Sequence, residues 1–307
     1  MRTSNLAVAG LFVAAVVTAA CSDAGTGLSA DQAAVQAAYE QLTGYIDDDF
    51  GDPGATGTTP ASATFSSFLS AGLADTAIAP EFWGRLRVVR GGPRPVFTRV
   101  IVVQGDSGWV TRNVDFQGIF LVDTSADAVF NPTSKPLADG VQQRAVFVRD
   151  GSAPRGWRLV ALTLLNWQNT ALDRRTVQIT NVAVYKNDSL VLQVDNPDSL
   201  IDVDRRVPKF REGDTVRVVA QVENTTGGGF SPTTLVFLHV RHADPSDIRW
   251  RRVQMVDNGN GEFERSWIVR HPGRDRFVVD ALDAATLMLG TADNYRSNEW
   301  GIPFLIQ

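Results

Sequence analysis

The chain has 307 residues, 44% of them hydrophobic and 21% charged, a globular balance long enough for two ordinary domains and unlike a disordered or collagen-like composition. Its formal charge is −5, and this mild acidic excess argues against a nucleic-acid partner, which requires a concentrated basic face. Of the 29 basic residues 26 are arginine, spread along the chain without a run, which reads as solvated surface.

At the amino terminus Arg2 supplies a positive start, and Leu6 to Val17 is apolar apart from Gly10. Small residues Thr18, Ala19 and Ala20 then precede Cys21, the single cysteine. This is the three-part grammar of a secretion signal, and the apolar run falls short of the ~20 residues a spanning helix needs. Val17-Thr18-Ala19-Ala20-Cys21 resembles the lipobox of bacterial lipoproteins, with Thr18 where that family most often has Leu. The resemblance implies a signal peptide at 1–20, lipid on Cys21 as the new amino terminus, and a tether over 21–29. It also implies a bacterial cell-envelope location, with Ser22 resembling the pattern sorted to the outer rather than the inner membrane, and membrane attachment through the anchor. Several acyl chains at ~0.8 kcal/mol per buried CH2 make a stable anchor, and loss of Arg2 takes the mature charge to −6, 28 basic against 34 acidic residues.

Ser29 is positioned to cap a helix over Ala30 to Ile46, in which Ala33, Ala34, Ala37, Ala38, Leu42 and Tyr45 recur at helical spacing. Gly51 to Pro60 reads as loop, and a shorter helix with Phe65, Phe68, Leu69 and Leu73 is expected after it. From Arg85 the chain turns β-branched and aromatic. Strands are predicted at Arg85–Arg90, Val96–Val103, Trp109–Leu121, Gln142–Arg149 and Trp157–Trp167, with turns at Gly105–Gly108 and Gly151–Pro154. Helices followed by long antiparallel strands give an α+β domain over 30–170, with helices packed on a curved antiparallel sheet.

A composition shift at Asn169 to Arg175 marks an expected boundary, at which a cut would leave two separately folding fragments. Beyond it short strands recur at Val177–Tyr185, Leu190–Val194, Thr215–Val222, Thr234–His242, Trp250–Val256, Phe263–Arg270, Arg276–Leu282 and Ile302–Ile306. Val216, Val218, Ala220 and Val222 alternate with Thr215, Arg217, Val219 and Gln221, and Asp257 to Glu262 reads as a hairpin turn because Asn-Gly supplies positive φ. This is the pattern of an all-β immunoglobulin-like sandwich over 176–307. That hairpin, followed by Phe263, resembles one found in bacterial immunoglobulin-like envelope domains. In the first half, Ala145–Gly151 and Gly156–Leu162 resemble the closing strand pair of the nuclear-transport-factor-two-like or polyketide-cyclase-like fold, which implies a long helix packed into a curved sheet around a conical pocket.

Such a fold hosts enzymes and non-catalytic binders alike. Its enzymes pair a pocket carboxylate with a histidine, yet the three histidines, His239, His242 and His271, all lie in the second half. Asp115 with Tyr39 and Tyr45 are the pocket candidates. No residue set qualifies as catalytic, since the chain has no Gly-x-Ser-x-Gly, Walker, dinucleotide-glycine or His-Glu-x-x-His motif. No cofactor is expected. Nor is a metal: His239 and His242 sit three apart on a strand and face opposite sides. The acidic runs Asp47–Asp52 and Asp195–Asp204 lack calcium-loop spacing and read as turns. Trp109, Trp157, Trp167, Trp250, Trp267 and Trp300 read as core packing ahead of sugar stacking. The sequence thus favours a membrane-anchored, non-enzymatic module that binds a small molecule or an envelope protein; a lipid-anchored enzyme using the first domain's pocket, or a part in envelope assembly or secretion, is the alternative.

Overall fold

A computed structural model describes residues 27–42, 45, 82–89, 91–123, 131–226, 233–244, 247–270, 272–289 and 294–307. The signal segment, Cys21, the 51–60 loop, the expected helix at 65–73, the Asp47–Asp52 run and His271 lie outside the described residues.

The chain enters through helix α1 (Ala30–Glu40). Ser29 and Gln32 form a reciprocal capping box: the Ser29 hydroxyl accepts from the Gln32 amide at 3.2 Å, and the Gln32 side chain accepts from the Ser29 amide at 2.9 Å. Strands β1 (Phe82–Leu86), β2 (Val96–Gln104), β3 (Ser107–Asp123), β4 (Thr133–Arg149), β5 (Trp157–Leu162) and β6 (Leu165–Asn169) follow. The second half supplies β7 (Val177–Lys186), β8 (Ser189–Val194), the two-residue strands β9 (Ile201–Asp202) and β10 (Lys209–Phe210), β11 (Thr215–Asn224), β12 (Thr234–Asp244) and β13 (Asp247–Gln254). It ends with β14 (Val256–Gly259), β15 (Glu262–Ile268), β16 (Gly273–Asp283), a five-residue helix α2 (Ala284–Met288) and β17 (Ser297–Ile306).

These strands form two sheets, antiparallel except where β10 lies parallel to β17. The larger runs β1-β3-β4-β6-β17-β16-β12-β13, with β2 beside β3, β5 beside β4, and β9 beside β5. The smaller runs β14-β15-β11-β7-β8. The expected α+β domain, with helices packed on its own curved sheet and a separate immunoglobulin-like sandwich behind it, is therefore corrected: the protein is mostly β. The reason lies in two elements. Helix α1 stops at Glu40, so its three turns cover one end of the sheet and cannot form a layer. Strand β4 begins at Thr133, nine residues before the predicted Gln142, and this extension pairs Asp139–Gln142 with β6, whose other edge pairs with β17. One sheet thus crosses from the first half of the chain to its last strand.

Strands β16 and β17 are the shared wall of two cores. Phe277, Val279 and Ala281 of β16, with Trp300, Ile302 and Phe304 of β17, meet Val184, Val218 and Phe263 of the smaller sheet in one apolar cluster. This is a β-sandwich, and its alternation on β11 follows the predicted one, with Val216, Val218, Ala220 and Val222 all buried. The opposite side chains of β16 and β17 face inward on the larger sheet, which curls until its edges approach: the Arg252 guanidinium of β13 lies 3.4 Å from the Trp83 ring centroid of β1 and donates to the Trp83 carbonyl at 2.9 Å.

Two glycines are required by close approach. A Cβ on Gly118 of β3 would stand 2.0 Å from the Leu86 carbonyl oxygen, so glycine is what lets the end of β1 fold over β3. A Cβ on Gly108 would stand 2.8 Å from Val35, the residue that seats α1 on the sheet. The expected Asp257–Glu262 hairpin joins β14 to β15, with Gly259, Asn260 and Gly261 all at positive φ.

Candidate functional site

The densest chemistry among the described residues lies inside the curl of the larger sheet. Register places it there: Arg85 of β1 sits opposite Phe120 of β3, and Phe120 opposite Lys135 of β4. Asp139 of β4 lies opposite Asn169 of β6, and Asp280 of β16 opposite Glu299 of β17. His239 on β12, Tyr295 ahead of β17 and Arg87 just past β1 complete the set. Asp139 and Asp280 are 0% exposed and Arg85 1%.

Asp280 and Glu299 form a like-charge cross-strand pair, a destabilising arrangement by itself. Arg85 resolves it, reaching Asp280 through two bonds of 2.7 and 2.8 Å and placing its Nε 3.3 Å from Glu299. The Arg85 Nε donates to the Tyr295 hydroxyl at 2.8 Å, which donates to Asp139 at 2.8 Å and accepts from Ser297 at 2.7 Å. Arg87 bonds Glu299 and, at 3.2 Å, Asp139. His239 Nε2 lies 3.0 Å from Asp280. Aromatic faces of Trp83, Phe120 and Tyr295 stand 5.4 to 5.9 Å from the Arg85 guanidinium.

Burial pulls the carboxyls upward and the guanidiniums downward, and the partners decide the outcome. For Asp280 the Arg85 charge and the His239 and Arg85 hydrogen bonds overcome desolvation and hold its carboxyl below the ordinary range. For Glu299 desolvation prevails, helped by the neighbouring Asp280 and Asp139, and its carboxyl is raised. Arg85 and Arg87 are held above the usual arginine value by their carboxylates against the pull of burial, and desolvation raises the Tyr295 phenol. Lys135 stands next to this network, donating to the Ala285 and Thr286 carbonyls of α2 and to the Asn294 side-chain oxygen, and burial brings it down to about 8.

The arrangement is a cross-brace. It ties edge strand β1 to β4, β16 and β17 with charge-assisted bonds made away from water, which fixes how far the sheet curls. The side chains of its four arginine–carboxylate pairs are 6% exposed or less, so they are spent on one another.

The sequence candidates fall elsewhere. Tyr39 and Tyr45 are buried beneath α1 on the inner face, where the Arg99 guanidinium lies 5.3 Å from the Tyr39 ring and desolvation raises the Tyr45 phenol. Asp115 is exposed on the opposite face of β3, between inward-facing Val114 and Phe116, so the structure does not bring it to the tyrosines. Of the tryptophans, Trp157, Trp167 and Trp300 are buried, Trp267 packs on the sandwich core, and Trp109 is exposed; the Trp250 side chain lies outside the described residues, as does that of His242. Arg85, Arg87, Arg112 and Arg276 are buried rather than solvated. Among the described residues no three His, Cys, Asp or Glu gather as metal ligands, and no helix is long and apolar enough to cross a membrane. No family model matches the chain, and neither does any curated protein or solved structure.

Proposed function

We propose that the chain is an envelope lipoprotein, attached to a bacterial membrane by lipid on Cys21, whose β body binds a ligand or a partner without catalysing a reaction. The observation that carries the non-catalytic part is the brace: the richest set of ionisable groups among the described residues is consumed in holding strands together. A catalytic acid or base must reach a substrate's proton within ~2.6–3.2 Å or through one water, and these side chains face one another instead. The anchored part rests on the apolar run and small residues that lead into Cys21.

One preparation tests both parts. Mature protein is expected to partition into detergent and to take up a fatty-acid label, and Cys21→Ala to lose both; unlabelled wild type in the aqueous phase would refute the anchor. Turnover on an esterase, glycosidase and isomerase panel that disappears in Asp139→Asn or Asp115→Ala would refute the non-catalytic reading.

A further inference from the structure

Among the described residues one face of the larger sheet is only half covered. Thr98, Asn113, Gln142, Asn166 and Trp300 form a single row across β2, β3, β4, β6 and β17, so residues an even number of places along each strand share that face. At the β17 end Trp300 lies under the smaller sheet. At the β2 end Val96, Val100 and Val102 are 62%, 51% and 49% exposed, and Trp109, the cross-strand partner of Val102, is 37% exposed. Among the described residues strand β2 pairs only with β3, so these valines line an edge. An exposed edge of β-branched residues invites unwanted pairing unless something covers it.

The route of the chain indicates what covers it. Helix α1 enters beside this edge: the Gln32 side chain donates to the Ile101 carbonyl at 2.9 Å, between Val100 and Val102. Seven residues separate Cys21 from the Ser29 cap, and the eight steps between the two span at most ~28 Å when fully extended. A bilayer holding the Cys21 lipid is thereby kept within reach of β2. Valines flanked by a tryptophan with a polar edge suit the boundary between headgroups and acyl chains, where amphipathic aromatics concentrate.

We propose that the β2 face, Val96, Val100 and Val102 with Trp109, rests on the lipid interface as a second membrane contact beside the anchor, setting the orientation of the body. This rests on lipid attachment at Cys21. It differs from a transmembrane arrangement because only side chains on one face of an edge strand enter the interface, and the sheet itself stays outside.

The full-length protein, purified with its lipid and reconstituted in phosphatidylethanolamine and phosphatidylglycerol vesicles, supplies the test. Val100→Cys, Val102→Cys and, as a distant control, Ile268→Cys, itself exposed on β15, each take one environment-sensitive fluorophore, since lipid occupies Cys21. The expected result is a blue shift and loss of emission to a lipid-borne quencher for labels at 100 and 102, with the label at 268 unaffected. Vesicle-bound protein whose labels at 100 and 102 behave as in water overturns the inference and leaves the anchor standing. Two labels per chain with no vesicle binding overturns the anchor, and the inference with it. Blue-shifted labels that ignore the lipid quencher while Val100→Cys chains cross-link assign the face to a second copy and overturn the inference.

Discussion

The two faces of β16 carry opposite chemistry on one backbone. Phe277, Val279 and Ala281 join the sandwich core, whereas Val278, Asp280 and Leu282 point into the curl, with Asp280 at the centre of the brace. The apolar face is non-directional: its stabilisation scales with area removed from water, and volume-conserving changes are absorbed. The ionic face is specific to its partners, because each buried charge is tolerated only while the opposing one is in place. One face sets how much core there is, and the other sets which strands meet.

The sharpest way to break this comparison is to divide the chain. The composition shift at 169–175 places a boundary there, but β6 pairs with β17 across it, and Arg85 and Arg87 meet Asp280 and Glu299 from the other side. Separately expressed 27–175 and 176–307 are expected to lack cooperative unfolding alone and to recover it when mixed. Two independent sharp transitions by circular dichroism would show that the shared sheet and brace are dispensable.

Next in size is the brace itself. Asp280→Ala leaves Arg85 buried without its bidentate partner and is expected to lower unfolding free energy by ~3–5 kcal/mol. Combining it with Arg85→Met removes the stranded charge, so the double variant is expected to be more stable than Asp280→Ala. A double variant that loses the sum of both single effects would mean that the two residues act independently.

How much of this was legible follows from the same contrast. On β11 one face is buried and the other partly wet, so the alternation of Val216, Val218, Ala220 and Val222 showed in the sequence, as did the Ser29 cap and the Asn-Gly hairpin. On β16 both faces are buried from Phe277 to Asp283, which erases the alternation that would have set Asp280 apart. Lys135 and Asp139 fall outside the predicted strands because Pro136, Asp139 and Gly140 interrupt the β-branched pattern ahead of Gln142. Among the described residues β4 has at Pro136 a neighbour on its β3 side only, a position where a strand tolerates proline. The brace collects polar groups from five strands separated by as many as 212 residues, Arg87 to Glu299, and no local spacing encodes such a meeting.

A smaller effect comes from Lys135. Its amine is brought down by burial from the usual lysine value to about 8 in the folded protein. Between pH ~8 and ~10.4, the unperturbed lysine value, the unfolded chain therefore holds a proton that the folded chain has released. Stability accordingly rises with pH across that window and is lowest, for this group, below pH 8. The expected rise is about 1–3 kcal/mol, measured by denaturant unfolding at a series of pH values, and Lys135→Met should flatten it. An unchanged slope in that variant would place the titration elsewhere.

The smallest effect belongs to the apolar face, where the comparison is most exact. Ile302 is fully buried and sits opposite Phe277 in the β16–β17 register, in a cluster with Phe304 and Trp300. Ile302→Leu keeps volume and apolar character while moving one methyl group, so neighbouring rotamers can adjust and the cost is expected to stay under ~1.5 kcal/mol. Glu299, which meets Asp280, lies three residues back along β17 with its side chain on the opposite face, about 10 Å away along the strand. At that separation, without shared partners, Ile302→Leu and Asp280→Ala should add to within ~0.5 kcal/mol. Coupling well above that value would show that the strand transmits repacking from one core to the other, so that the faces of β16 and β17 behave as a single core.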